Sequence, residues 1–140
     1  QTAYAWTYVY SPVAQDAGAQ VEFYTYSRSG NEKAPLAGEW DRRGSKLWVN
    51  GQEIAAPTWD QADVSIPQDH STQGLTNENL TARPMTHIKL RRGWNKVLMR
   101  LPYADNGGTG RDKWQFTFVI TDTKGENALE GIVYSPTRSF

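Results

Sequence analysis

Three polar stretches concentrate the groups able to do chemistry. Glu39-Trp-Asp-Arg-Arg43 sets an indole beside two guanidiniums and two carboxylates. Asn77-Glu-Asn-Leu-Thr-Ala-Arg83 offers planar amides and a guanidinium. Asp105-Asn-Gly-Gly-Thr-Gly-Arg-Asp-Lys-Trp114 repeats that chemistry around Arg111 and Lys113. Sugar recognition uses these types: an aromatic face lies against the C–H surface of the ring, and planar Asn, Asp, Glu or Arg groups bond in pairs to adjacent hydroxyls. The candidate ligand-binding set is therefore Trp40, Arg42, Arg43, Asn79, Arg83, Arg111 and Lys113. The same residues admit a structural reading. Arg42, Arg43, Arg83 and Arg111 would pair with Asp41, Glu78 and Asp112 to pin long loops, and Trp40 would plug one end of the fold. For Trp48, Trp94 and Trp114, strand period or a hairpin context explains core packing without a ligand.

Catalytic patterns are absent. There is no Gly-x-Ser-x-Gly and no cysteine to act with a histidine. His70 lies in a polar stretch and His87 on the expected solvent face of a strand, with no second histidine at metal-ligand spacing. Gly107-Gly-Thr-Gly110 lacks the Gly-Lys-Ser/Thr ending of a phosphate loop. Asp60, Asp63 and Asp69, and Asp105 and Asp112, cluster loosely, but a glycosidase pair also needs a cleft and a tuned acid. No cofactor is expected. A structural calcium ion on Asp16, Asp41, Asp105 and Asn106 would have oxygen ligands without ordered spacing. Asn79-Leu-Thr81 matches a glycosylation sequon.

The elements that must position these groups are strands. Lys46-Leu-Trp-Val-Asn-Gly-Gln-Glu-Ile54 reads as strand, two-residue turn, strand, because Asn50-Gly51 tolerates the two positive φ angles of a tight hairpin. The pleat sends Leu47 and Val49 to one face and Lys46 and Trp48 to the other. Thr2 to Tyr10 alternates, with Tyr4, Trp6, Tyr8 and Tyr10 sharing one face and Ala3, Ala5, Thr7 and Val9 the other. Further strands are expected over 19–27, 86–90, 96–101, 114–121 and 129–134, with Arg91-Arg-Gly-Trp94 as a turn. In 114–121, Trp114, Phe116, Phe118 and Ile120 should point inward. No stretch keeps a helical period over ten residues. About eight antiparallel strands with turn signals between them predict an all-β sandwich or barrel.

At 140 residues the chain is expected to be one β-sandwich module over 1–140, excised from something larger. Lys plus Arg and Asp plus Glu both number 15, which leaves no basic field for nucleic acid. No apolar run approaches the roughly 20 residues that span a bilayer. Six tryptophans and seven tyrosines are more aromatic surface than a core this size requires, and such rings can serve as core, as interface or as sugar platforms. If consecutive strands are antiparallel, the tight turns fall at one end and the long loops 28–45, 57–85 and 103–113 at the other, where recognition would sit.

The ordered set 4–11, 46–54, 88–101 and 114–122, with its Trp48-Val-Asn-Gly hairpin and Gly93-Trp-Asn-Lys-Val-Leu98 strand, resembles galactose-binding-like β-sandwich modules. Trp40-Asp-Arg-Arg-Gly-Ser45, Glu78-Asn-Leu-Thr-Ala-Arg-Pro84 and Asn127-Ala-Leu-Glu-Gly131 look like the accessory module of secreted gut-bacterial glycoside hydrolases. The resemblance is nearest the C-terminal module of family 20 β-N-acetylhexosaminidases, with sialidase modules as the other candidate parent. It implies a jelly roll, a periplasmic, cell-surface or secreted location, and binding of hexosamine- or galactose-containing glycans without catalysis. The alternative role it implies is structural, packing against the parent's own catalytic domain. It transfers no binding residues.

Overall fold

The computed structural model describes residues 1–23, 38–41, 43–57, 85–103 and 116–140. Among these there is no helix, and the strands form two antiparallel sheets. The strands are β1 (Thr2–Ser11), β2 (Gln15–Glu22), β3 (Lys46–Val49), β4 (Gln52–Glu53), β5 (Thr86–Leu90), β6 (Gly93–Pro102), β7 (Thr117–Thr121) and β8 (Val133–Ser135). One sheet runs β4-β3-β6-β1-β8 and the other β5-β2-β7. Both contribute to a single buried cluster, as a β-sandwich requires. Val9, Leu47, Val49, Val97, Met99 and Leu101 come from the first; Ala17, Ala19, Val21, Ile88, Leu90 and Ile120 come from the second.

The hairpin forms where Asn50 and Gly51 predict it. Their φ angles are 52° and 81°, and Val49 pairs with Gln52. Leu47 and Val49 are buried, and Lys46 and Trp48 face outward. Asn95, fully buried, ties this turn to the next one. Its Oδ1 accepts from Asn50 Nδ2 (2.8 Å) and Arg91 N (2.9 Å), and its Nδ2 donates to the carbonyls of Val9, Arg91 and Gly93. Asn50 Oδ1 in turn accepts from Lys96 N and Arg91 Nη2. A buried polar group is tolerated when satisfied in this way, and it then sets geometry.

Several strand bounds move. β2 begins at Gln15 rather than Ala19, because Gln15 to Ala19 pairs with β5 and Ser11 braces the turn before it. Ser11 Oγ donates to the Val13 carbonyl and accepts from Gln15 Nε2. β6 starts at Gly93, so Trp94 belongs to a strand, opposite Tyr10, and the turn shortens to Arg91-Arg92. The last strand is Val133–Ser135, preceded by a lone bridge from Ala128 to Thr121. In β7, Ile120 is buried but Phe116 is 40% exposed, since it lies just before the strand's paired stretch. Trp114 and residues 24–27 lie outside the described residues.

The two short connections 12–14 and 91–92 join the sheets at one end, beside Asn50-Gly51. Strand direction then puts Phe23, Lys46, Met85 and Pro102, where the long segments attach, at the other. Thr86 Oγ1 bonds the Ala55 carbonyl there (3.2 Å), linking two of those roots.

Candidate functional site

The end where the long segments attach holds a cleft of about 290 Å³ between residues 38–41, 44–46 and 53–56. One wall is a loop shaped by Asp41. Asp41 Oδ1 accepts from the backbone N–H groups of Arg43 (2.9 Å) and Ser45 (3.0 Å), and Oδ2 accepts from the Ser45 hydroxyl. This is the local preference of an aspartate for its own backbone a few residues on. Gly44, with φ of 84°, lets the chain turn back into β3. The other wall is β4 and the residues that follow it, where Glu53 Oε1 stands 3.5 Å from Nζ of Lys46 at the start of β3. Glu39 and Glu53 are exposed, Glu53 beside Lys46, so both carboxylates meet water at the cleft. Asp41 is 8% exposed and its oxygens are already engaged, so it builds the site and does not present itself to it. The pocket approaches the smaller end of small-molecule sites, roughly 300 Å³, and fits about one hexose ring.

Trp40 lies in the core and not on the rim. It is 4% exposed, stands edge-on to Phe23 at 5.5 Å, and donates its Nε1–H to the Ile54 carbonyl at 3.1 Å. It borders the cleft but is almost wholly buried, so the stacking role weighed for it has no open face here. Arg43 is half-buried. Arg42, Asn79, Arg83, Arg111 and Lys113 lie outside the described residues. Of the calcium candidates, Asp16 sits on β2 opposite Lys89, near the short-turn end, and Asp41 is engaged in its own loop. Asp105 and Asn106 lie outside the described residues. No group of three or more His, Cys, Asp or Glu that could hold a metal occurs among the described residues. His87 is exposed, on β5.

The open aromatic surface lies elsewhere, on the outer face of the five-stranded sheet. The alternation in β1 turns Ala3, Ala5 and Val9 to the core and Tyr4, Trp6, Tyr8 and Tyr10 out. Trp6 is 60% exposed and Tyr4 55%. Trp48 and Trp94, expected in the core, stand on this same outer face because Leu47, Val49, Asn95 and Val97 fill the inner one. Alternation marked these residues as one face; which face was outside depended on the opposing sheet. The C-terminal segment covers one end: Phe140 packs edge-on to Tyr10 at 4.7 Å and contacts Trp94, and Arg138 lies over the Tyr8 ring at 5.0 Å. Beside Trp6 a crevice of about 70 Å³ between Ala5, Met99 and Phe118 is too small for a sugar. Compared with protein-family models, with curated proteins and with solved structures, the chain finds no match.

Proposed function

We propose that this chain is a non-catalytic carbohydrate-binding accessory module of a secreted glycoside hydrolase, with a galactose-binding-like jelly-roll fold. A β-N-acetylhexosaminidase is the parent the sequence resemblance favours, and its glycans would contain hexosamine or galactose. The observation that carries the reading is the cleft at the end where the long segments attach. It combines exposed carboxylates on Glu39 and Glu53, the ammonium of Lys46, and apolar surface from Ile54 and Ala56. That mixture suits a hydroxyl-rich ring with one apolar side. The site is shallow, so affinity in the range of roughly millimolar to micromolar is expected.

Titration of the chain with N-acetylglucosamine, N-acetylgalactosamine and galactose, followed by NMR, tests this. Shifts should cluster at Glu39, Lys46 and Glu53, and Glu39→Gln with Glu53→Gln should weaken binding about tenfold, the loss of one or two charge-assisted hydrogen bonds. Shifts confined to other surfaces, or none with any of the three sugars, would remove the cleft from consideration.

A further inference from the structure

The outer face of the five-stranded sheet is ordered into rows by strand register. Trp6 pairs with Leu98, and Leu98 with Trp48, so one apolar row crosses β1, β6 and β3. Two residues along, Tyr4 pairs with Arg100 and Arg100 with Lys46. Two residues the other way, Tyr8 pairs with Lys96. An apolar row, ending on β4 at Glu53 opposite Trp48, is thus flanked on both sides by cations whose strand positions lie about 7 Å away. Lys96 is exposed, and the Arg100 Nε is buried with no hydrogen-bond partner. Lys46 meets Glu53, and among the described residues neither Arg100 nor Lys96 forms an ion pair.

We propose that this face binds an extended, carboxylate-bearing glycan, a β-1,4-linked polyuronate chain. The proposal extends the carbohydrate reading to a second surface and does not depend on the cleft. Sugar rings would lie on the Trp6–Leu98–Trp48 row. In a β-1,4 chain successive residues are flipped, so carboxylates emerge alternately on the two sides, where Arg100 and Lys96 stand. A guanidinium matches a carboxylate with two parallel hydrogen bonds. A protein partner fits less well, because interface cores are depleted of lysine and this face carries Lys46 and Lys96. Single-stranded nucleic acid also stacks on aromatic rings beside cations. Its phosphates run along one side of the stacked bases, whereas the cations here stand on both sides of the row.

The test is calorimetric titration of the chain with a cellouronate hexasaccharide, with cellohexaose and with a thymidine oligonucleotide. Cellohexaose differs only in lacking the carboxylates. Cellouronate should bind about tenfold or more tighter than cellohexaose and should weaken as salt is raised. Trp6→Ala should weaken it about tenfold, and Lys96→Gln or Arg100→Gln should lower the salt dependence. Trp6 is mostly exposed, so the variant should fold; if it does not, the Lys96→Gln result decides. Equal binding of the two hexasaccharides, no binding, or tighter binding of the oligonucleotide would overturn the proposal. Loss of monosaccharide binding alone would count against the cleft and leave this face standing.

Discussion

Asn95 is the side chain on which most local geometry converges. All of its hydrogen-bonding capacity is used inside the protein, on β1, on Arg91 and Gly93 either side of the turn and on Asn50. Truncation would remove the shared partner of donors and acceptors on three segments at once, the buried Val9 carbonyl among them. Asn95→Ala should therefore cost about 3 kcal/mol or more, read from urea unfolding, against ~1 kcal/mol for an ordinary hydrogen bond. Asp122 organises a second turn, from the surface. The N–H of Glu126 is the main cause holding its carboxyl below the ordinary 3.8; the partial burial of the group opposes this, and the Asn127 side chain and the N–H groups of Lys124 and Asn127 add to it. A carboxyl lowered on folding stabilises above its unfolded value and loses that contribution as pH falls through its folded value. An NMR titration should place the Asp122 midpoint below 3.8, and Asp122→Asn should flatten the acid loss of stability below that pH. A midpoint at or above the ordinary value would show that the turn does not hold in solution.

The strands owe their packing to small residues as much as to large ones. β2 carries Gly18 at the centre of its sheet, between His87 of β5 and Thr121 of β7. A methyl group there would stand 2.7 Å from the Asp122 carbonyl oxygen and closer still to Met85 Sδ and Thr121 Oγ1. Side chains could rotate away; the backbone oxygen could not. Gly18→Ala should destabilise by about 1–3 kcal/mol, the cost of overpacking, as a fall in thermal midpoint. An unchanged midpoint would mean that β2 and β7 are less closely apposed. This close approach was invisible in the sequence, where the strand was expected to start after Gly18, at Ala19. The hairpin was fully legible by contrast, because Asn50-Gly51 states its turn type in two residues.

Across the molecule, identical substitutions should have opposite consequences. Trp40 bridges Phe23 and the Ile54 carbonyl inside the core, so Trp40→Ala should cost about 3–5 kcal/mol of stability. Trp6 stands on the open sheet face, and Trp6→Ala should change stability by no more than about 0.5 kcal/mol while weakening ligand binding. Parallel denaturant melts of the two variants check this directly. If both melt alike, the assignment of inner and outer faces is wrong. The cleft and the aromatic face share Lys46 and Glu53 at their border, so a glycan long enough to leave one could continue onto the other.

Period and turn chemistry are local, and they were readable residue by residue. They divided Tyr4, Trp6, Tyr8 and Tyr10 from Ala3, Ala5 and Val9, placed Lys46 and Trp48 opposite Leu47 and Val49, and announced an all-β chain. What alternation could not state is which side of a strand meets the second sheet. That choice belongs to the whole fold. Ala3, Ala5 and Val9 of β1 face inward because Val97 and Met99 beside them, and Ala17, Ala19 and Val21 across from them, close the gap between two layers; the aromatic rings are left on the outside. Trp40 went the other way for the same reason. Its loop reads as polar and exposed, but Phe23 and the Ile54 carbonyl, distant in the chain, supply both an apolar contact and a hydrogen-bond acceptor in the interior, and only the assembled molecule brings them together.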